Sequence, residues 1–159
     1  MKKLEVYKYL DSKNIKYEIT EHKAVFNMEE LAGIEVPYPE ADAKNLFIRD
    51  RKKNYYLISV KGNKRVDLKG FRNKIDSTAL TFASESDLMD ILGLTPGSVT
   101  PLGVLNDKEH VVKVFIDSEL KDGLIGIHPN DNTATIWINT NALVELIKEC
   151  GNSIQFIDL

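Results

Sequence analysis

Cysteine is almost absent: Cys150 is the only one in 159 residues, so an internal disulfide is excluded. With three scattered histidines (His22, His110, His128) no spacing reads as a zinc site, and the thiol itself reads as an inert position late in a helix. Long apolar runs are missing too. No segment approaches the roughly 18 uninterrupted apolar residues that span a bilayer, and Met1-Lys2-Lys3-Leu4 leads into charged helix rather than a signal-peptide core. A soluble cytoplasmic protein is the expectation. Familiar catalytic signatures are lacking as well: there is no G-x-S-x-G elbow, no P-loop, no G-x-G-x-x-G after a strand and no H-E-x-x-H. Ordinary serine-hydrolase, NTPase and metalloprotease chemistry are therefore disfavoured. Neither repeats nor low-complexity tracts occur. What is present, 43% hydrophobic and 28% charged side chains, is the balance of one globular domain spanning residues 1–159 around a single core.

The net charge of −3 conceals an asymmetry. Between Lys44 and Lys74 eleven bases face two acids, Asp50 and Asp67, so this stretch carries +9 and the rest of the chain −12. Arg49, Arg51, Lys52, Lys61, Lys64 and Arg65 are among those bases. A segment so polarised suits a local phosphate-binding face, because cations there release condensed counterions while acids elsewhere limit indiscriminate binding. A merely solvated hairpin is the competing reading.

Apolar residues at helical spacing (Leu4, Tyr7, Leu10) predict an amphipathic helix over 2–14, and 15–20 alternates like a strand. Residues 27–35 read as a helix with Asn27 as N-cap, ended by Val36-Pro37-Tyr38-Pro39. Strands at 43–49 and 54–60, joined by the turn Asp50 to Lys53, make a hairpin. Helices follow at 68–74 and 85–92, the second capped by Ser84 and ended by Gly93. Residues 95–103 read as loop. Strands at 110–116, 123–127 and 133–138, a helix at 140–149 and a strand at 153–157 complete the chain. Helices around a run of strands imply the α+β class with a mixed, strongly curved sheet.

Three polar elements sit beside strand ends or in a glycine-proline loop, where backbone can approach a ligand. Lys44 and Asn45 open an apolar strand with a positive charge and an amide, although a lysine there is commonly just solvated. In Thr95-Pro96-Gly97-Ser98-Val99-Thr100-Pro101, two prolines bracket a glycine. Such a loop has few conformers and can present bare N–H groups, and it can equally be a structural turn. In Gly126-Ile127-His128-Pro129, the histidine between strand and turn can orient a substrate or water, or serve only as a structural hydrogen-bonding group. Trp137, Phe115 and Ile136 read as strand core rather than as a stacking platform for RNA.

Taken in order, Lys44-Asn45-Leu46-Phe47, then Thr95 to Pro101, then Gly126 to Pro129 with Asn132-Thr133-Ala134-Thr135, resemble the YbaK and prolyl-tRNA synthetase associated domain family. Within it, K-N-L-F followed by a charged hairpin is similar to the free-standing alanyl-tRNA(Pro) deacylases. The resemblance covers essentially the whole chain. It implies a barrel-like mixed sheet flanked by helices, and a hydrolase acting in trans on mischarged tRNA(Pro) with no cofactor, metal or protein nucleophile. A ribose hydroxyl of the tRNA would help to activate water. It further implies that Lys44, Asn45 and His128 serve catalysis, that Gly97, Ser98, Gly126 and Pro129 line the aminoacyl site, and that the basic residues named above contact tRNA. The partners implied are the aminoacylated 3′ end and a prolyl-tRNA synthetase, with no membrane or DNA. Deacylation of cysteine or another small residue, and a non-catalytic aminoacyl-tRNA or amino-acid sensor, are the competing functions.

Overall fold

The computed structural model describes residues 1–24 and 35–159; the helix expected at 27–35 falls, except for its last residue, outside them. Helix α1 (Lys3–Ser12) buries Val6 and Leu10 and is followed by Asn14 in the left-handed conformation, φ 56°. Strand β1 (Tyr17–Glu21) comes next. A short 3-10 turn, Pro39–Ala41, leads into β2 (Ala43–Arg49), which pairs antiparallel with β3 (Tyr55–Lys61) in the expected hairpin. Asp50 fixes that turn, its carboxylate accepting from the backbone N–H groups of Lys52 and Asn54, each at 2.9 Å. Such local side-chain bonds are what make Asp favoured at turns.

Helix α2 (Leu68–Ile75) packs Phe71 onto the sheet. A two-residue strand, β4 (Thr81–Phe82), has no counterpart in the sequence reading. The next helical turn, α3 (Glu85–Asp87), continues as a π-helical segment, Leu88–Leu92. Ser84 caps it by accepting from Asp87 N–H at 3.0 Å, and Gly93 at φ 65° ends it. The loop expected through Gly103 gives way at Pro101 to a 3-10 segment, Pro101–Asn106. Strands β5 (Val112–Asp117), β6 (Leu124–Ile127) and β7 (Ala134–Asn139) follow, then α4 (Thr140–Glu149) and β8 (Ile154–Ile157). Asn139 caps α4 through Ala142 N–H at 3.0 Å, a contact of about 1 kcal/mol in comparable helices.

The strands form two sheets, ordered β1-β7-β6 and β4-β2-β3-β5-β8. The second is mixed: β3 pairs parallel with β5, and β5 parallel with β8. A single parallel bridge, Asp42 to Gly126, connects the two sheets. The α+β class and the mixed sheet therefore stand, but no closed barrel forms among the described residues; β1 and β8 remain outer strands. One face of the sheets, with α1 and α4, encloses the larger core (Phe47, Leu57, Ile125, Ile136 and neighbours). The other face of the five-stranded sheet packs Ile48, Tyr56, Ile58, Phe115 and Phe71 beneath α2. Trp137, Phe115 and Ile136 are all buried. Among the described residues no helix is long and apolar enough to cross a membrane.

Candidate functional site

The bridge between Asp42 and Gly126 sets the start of β2 against the end of β6. Side chains alternate along a strand, so Asp42 and Lys44 emerge on the face shared by Gly126 and His128, and Asn45 turns to the opposite face. Lys44 is half-buried, and its ammonium donates to the backbone carbonyl of Lys64. Asn45 Oδ1 accepts from Ser59 Oγ at 2.5 Å. With Phe47, Ala83, Pro96 and Val99, Asn45 also lines a cavity of about 320 Å³.

His128 is held at both ends. Its Nδ1 lies 2.8 Å from the carbonyl of Ala134, which can only accept, so Nδ1 carries the proton. Its own carbonyl accepts from Thr100 Oγ1 at 2.7 Å, and Thr100 is fully buried. This bond ties the Thr95 to Pro101 loop to the histidine. Burial pushes the imidazole below its ordinary pKa, reinforced by His22 and opposed by the bond to Ala134 and by Asp131. The neutral ring then presents the lone pair of Nε2 as an acceptor.

Two further groups here, one packed on this histidine and one beside its neighbour, are not legible as such in the sequence. His22 packs edge-on against it, ring centroids 6.1 Å apart, and is itself fixed by Thr135 Oγ1 at 3.0 Å and the Lys23 carbonyl at 2.8 Å. Asp42 interacts with His22; burial raises its carboxyl pKa, against the pull of His22 and the Ala43 N–H. His110, by contrast, serves structure, contacting Asn152 Oδ1 at 3.3 Å. Cys150 is half-buried, 3.9 Å from Tyr9 OH.

A pH dependence follows from His128. Because its native pKa is lowered, it favours the folded state above the unfolded imidazole pKa of about 6.5, and that contribution is lost as pH falls through the native value. Melting temperature of the wild type minus that of His128→Gln, measured from pH 8 to pH 4.5, is expected to shrink below about pH 6.5; a difference that instead grows on acidification contradicts this ionisation.

Gly97 is half-buried at the tip of a turn closed by Ser98 N–H to the Thr95 carbonyl at 3.0 Å, and Ser98 Oγ lies 3.1 Å from Thr95 Oγ1. Ser98 and Pro129 are buried. At Gly126 the position of a Cβ would fall 2.3 Å from Trp137 Cζ3, so the space released by the missing side chain is occupied by the indole.

The basic stretch divides into two groups. Lys64 Nζ is bound by Asp117 Oδ2 at 2.6 Å and Glu119 Oε1 at 2.7 Å, Lys61 faces Glu119 at 3.9 Å, and Arg49 pairs with Asp87 at 3.2 Å. The bonds from Asp117 and Glu119 raise the Lys64 pKa. Acids from outside the stretch thus neutralise part of its charge. Arg51, Lys52 and Arg65 are exposed and form no ion pair among the described residues.

The family model for the aminoacyl-tRNA editing domain matches residues 22–146. The chain is 40% identical over 152 residues to the prolyl-tRNA editing protein ProX of Acetoanaerobium sticklandii, covering 94% of this chain and 93% of that one. It is 31% identical to prolyl-tRNA synthetase associated domain-containing protein 1 of Mus musculus, over 87% of this chain and 85% of the relative. A crystal structure described as a candidate trans-editing enzyme for prolyl tRNA synthetase shares the fold at TM-score 0.73 and 21% identity, covering 99% of this chain and 95% of the other. The protein belongs to the aminoacyl-tRNA editing domain family and is an aminoacyl-tRNA deacylase.

Proposed function

We propose that this protein acts in trans on mischarged tRNA(Pro), and that the amino acid it removes is alanine. The observation that carries the reading is the junction of three remote segments. The Asp42–Gly126 bridge brings Lys44 onto the face of His128, and the Thr100 hydroxyl binds the Gly97 loop to the histidine's carbonyl. In the reaction, water adds to the ester carbonyl, the bond to the ribose oxygen breaks, and that oxygen takes up a proton. His128 Nε2 accepts from a ribose hydroxyl of the terminal nucleotide or from the water and so orients it; the ammonium of Lys44 meets the terminal phosphate. Asn45 positions the same 3′ end. Gly97, Ser98, Gly126 and Pro129 shape the wall that limits the side chain admitted. An aminoacyl ester is already activated, so orientation and charge stabilisation by fixed donors supply the acceleration needed without a protein nucleophile.

Alanine is favoured because a proline site cannot reject a smaller residue well: losing one or two methylenes changes binding by only about 1–3 kcal/mol. A second site that admits alanine and excludes proline completes the sieve. The partners are the charged 3′ end of tRNA(Pro) and a prolyl-tRNA synthetase, in the cytoplasm.

The deciding assay compares release of alanine and of cysteine from tRNA(Pro), with and without chelator. Alanine release unaffected by chelator supports the reading; preferential cysteine release transfers the substrate, and binding without turnover makes the protein a sensor. The unpaired cations provide a second check. Arg51→Ala, Lys52→Ala and Arg65→Ala are each expected to lower the slope of log affinity against log salt by about 0.7 to 0.9 per lost phosphate contact, in filter binding of tRNA. An unaltered slope in all three would take these exposed cations out of the interface.

A further inference from the structure

We propose that the opening in the sheet between β4 and β6 receives the 3′-terminal nucleobase of the tRNA, with Phe82 as its stacking platform; this rests on the tRNA reading above. On this side β2 has strand partners among the described residues only at its ends, Asp42 with Gly126 and Ile48 to Arg49 with β4. The cavity of about 320 Å³ lies along the stretch between them. Backbone groups face it. Phe47 turns its carbonyl to this edge, accepting from Ala83 N–H at 3.0 Å, and alternate residues of a strand direct N–H and C=O to the same edge. Asn45, two residues earlier, therefore presents a donor and an acceptor to the gap, as a base edge requires.

The other lining groups specify the ligand. Phe82 leaves 63% of its surface exposed although it is held in a strand beside a cavity. An aromatic face exposed next to a groove is what base stacking uses. Leu46, Phe47 and Val99 make the rest apolar, and the polar side chains are Asn45 and Glu85. No cation lines the cavity among the described residues, so a phosphate is not its occupant; an amide and a carboxylate suit the exocyclic amino group of a base or the hydroxyls of its ribose. The volume falls in the range of small-ligand sites, about 300–1,000 Å³, and exceeds what the methyl of alanine needs. Phe82 pairs with Ile48, so its ring stands on the face that Lys44 and Leu46 share by alternation along β2, and a base stacked on it leaves its sugar and ester at the His128 side.

The test uses the whole protein and uncharged RNA, so it is independent of hydrolysis. Two acceptor-stem hairpins, one ending in CCA and one with a terminal ribose lacking its base, are titrated against wild type, Phe82→Ala and Phe82→Trp by fluorescence anisotropy. Phe82→Ala is expected to weaken the CCA hairpin about tenfold, Phe82→Trp to restore it, and the abasic hairpin to bind wild type and Phe82→Ala alike. Equal binding of the CCA hairpin to wild type and Phe82→Ala overturns the assignment. So does a Phe82→Ala variant that keeps CCA affinity but changes the preference between alanyl and larger aminoacyl esters, since the cavity then holds the amino acid. Loss of the deacylase reading with Phe82-dependent CCA binding intact would leave the base site standing.

Discussion

Lys44→Ala is expected to lower kcat/KM for alanyl-tRNA(Pro) by about 10²- to 10³-fold, the loss typical when a fixed donor to developing charge is removed. Lys44 differs from the ion-paired bases of the stretch and, being half-buried, from the exposed Arg51, Lys52 and Arg65. Arg49, Lys61 and Lys64 are paired with carboxylates, whereas Lys44 donates to a backbone carbonyl and has no acid partner among the described residues. Its positive charge is thus held in place without being neutralised, as a site for an anionic group requires. The half-buried stem and the Lys64 carbonyl restrict where that ammonium can go, so little ordering is left for the moment of binding. Lys44→Arg is expected to recover only part of the rate, because a planar guanidinium does not reproduce a compact ammonium. Thermal stability should move by no more than about 0.5 kcal/mol, since no buried partner is orphaned. Single-turnover deacylation alongside a thermal melt separates the two effects. Unchanged hydrolysis in Lys44→Ala removes the residue from the site.

The parts of this structure that the sequence makes legible are those with local causes. β2 and α4 are found over the residues expected, 43–49 and 140–149. Alternation and an N-cap act within a few residues, and Ser84 and Gly93 delimit their helical turn for the same reason. β4 escapes because two residues leave no period to read. The site is a harder case. Lys44, Gly97 and His128 stand in motifs, but their relation depends on one bridge at Asp42 and one hydroxyl at Thr100, both long-range. His22 is invisible as a neighbour of His128 because its place follows from the β1–β7 register, in which Thr20 meets Thr135. A charge count along the chain cannot show that Asp117 and Glu119 reach Lys64, since that contact depends on β5 lying parallel beside β3. The +9 segment is therefore a weaker cationic surface in space than in sequence.

Gly126→Ala is expected to cost about 1–3 kcal/mol of stability, the usual range for overpacking a core, or roughly 2–12 °C of melting temperature for a domain of this size. The new methyl would lie 2.3 Å from Trp137 Cζ3, 2.7 Å from Cε3 and 2.9 Å from Cη2. The indole cannot step aside cheaply. It is 1% exposed, its Nε1 donates to Thr20 Oγ1 at 2.9 Å, and Tyr38 packs edge-on against it at 5.5 Å. If the ring holds, β6 must move, and β6 carries His128 two residues further along while the bridge at Gly126 anchors the start of β2. A displacement of about 1 Å at a reacting group can cost about 10²-fold, so activity should fall further than stability alone explains. Trp137→Phe in the Gly126→Ala background removes the atoms of the clash at the expense of the Thr20 bond. The double variant is accordingly expected to be more stable than the sum of the two single changes implies. Strict additivity in that cycle, or a Gly126→Ala protein that melts with the wild type, would show that the contact between β6 and Trp137 does not set the position of His128.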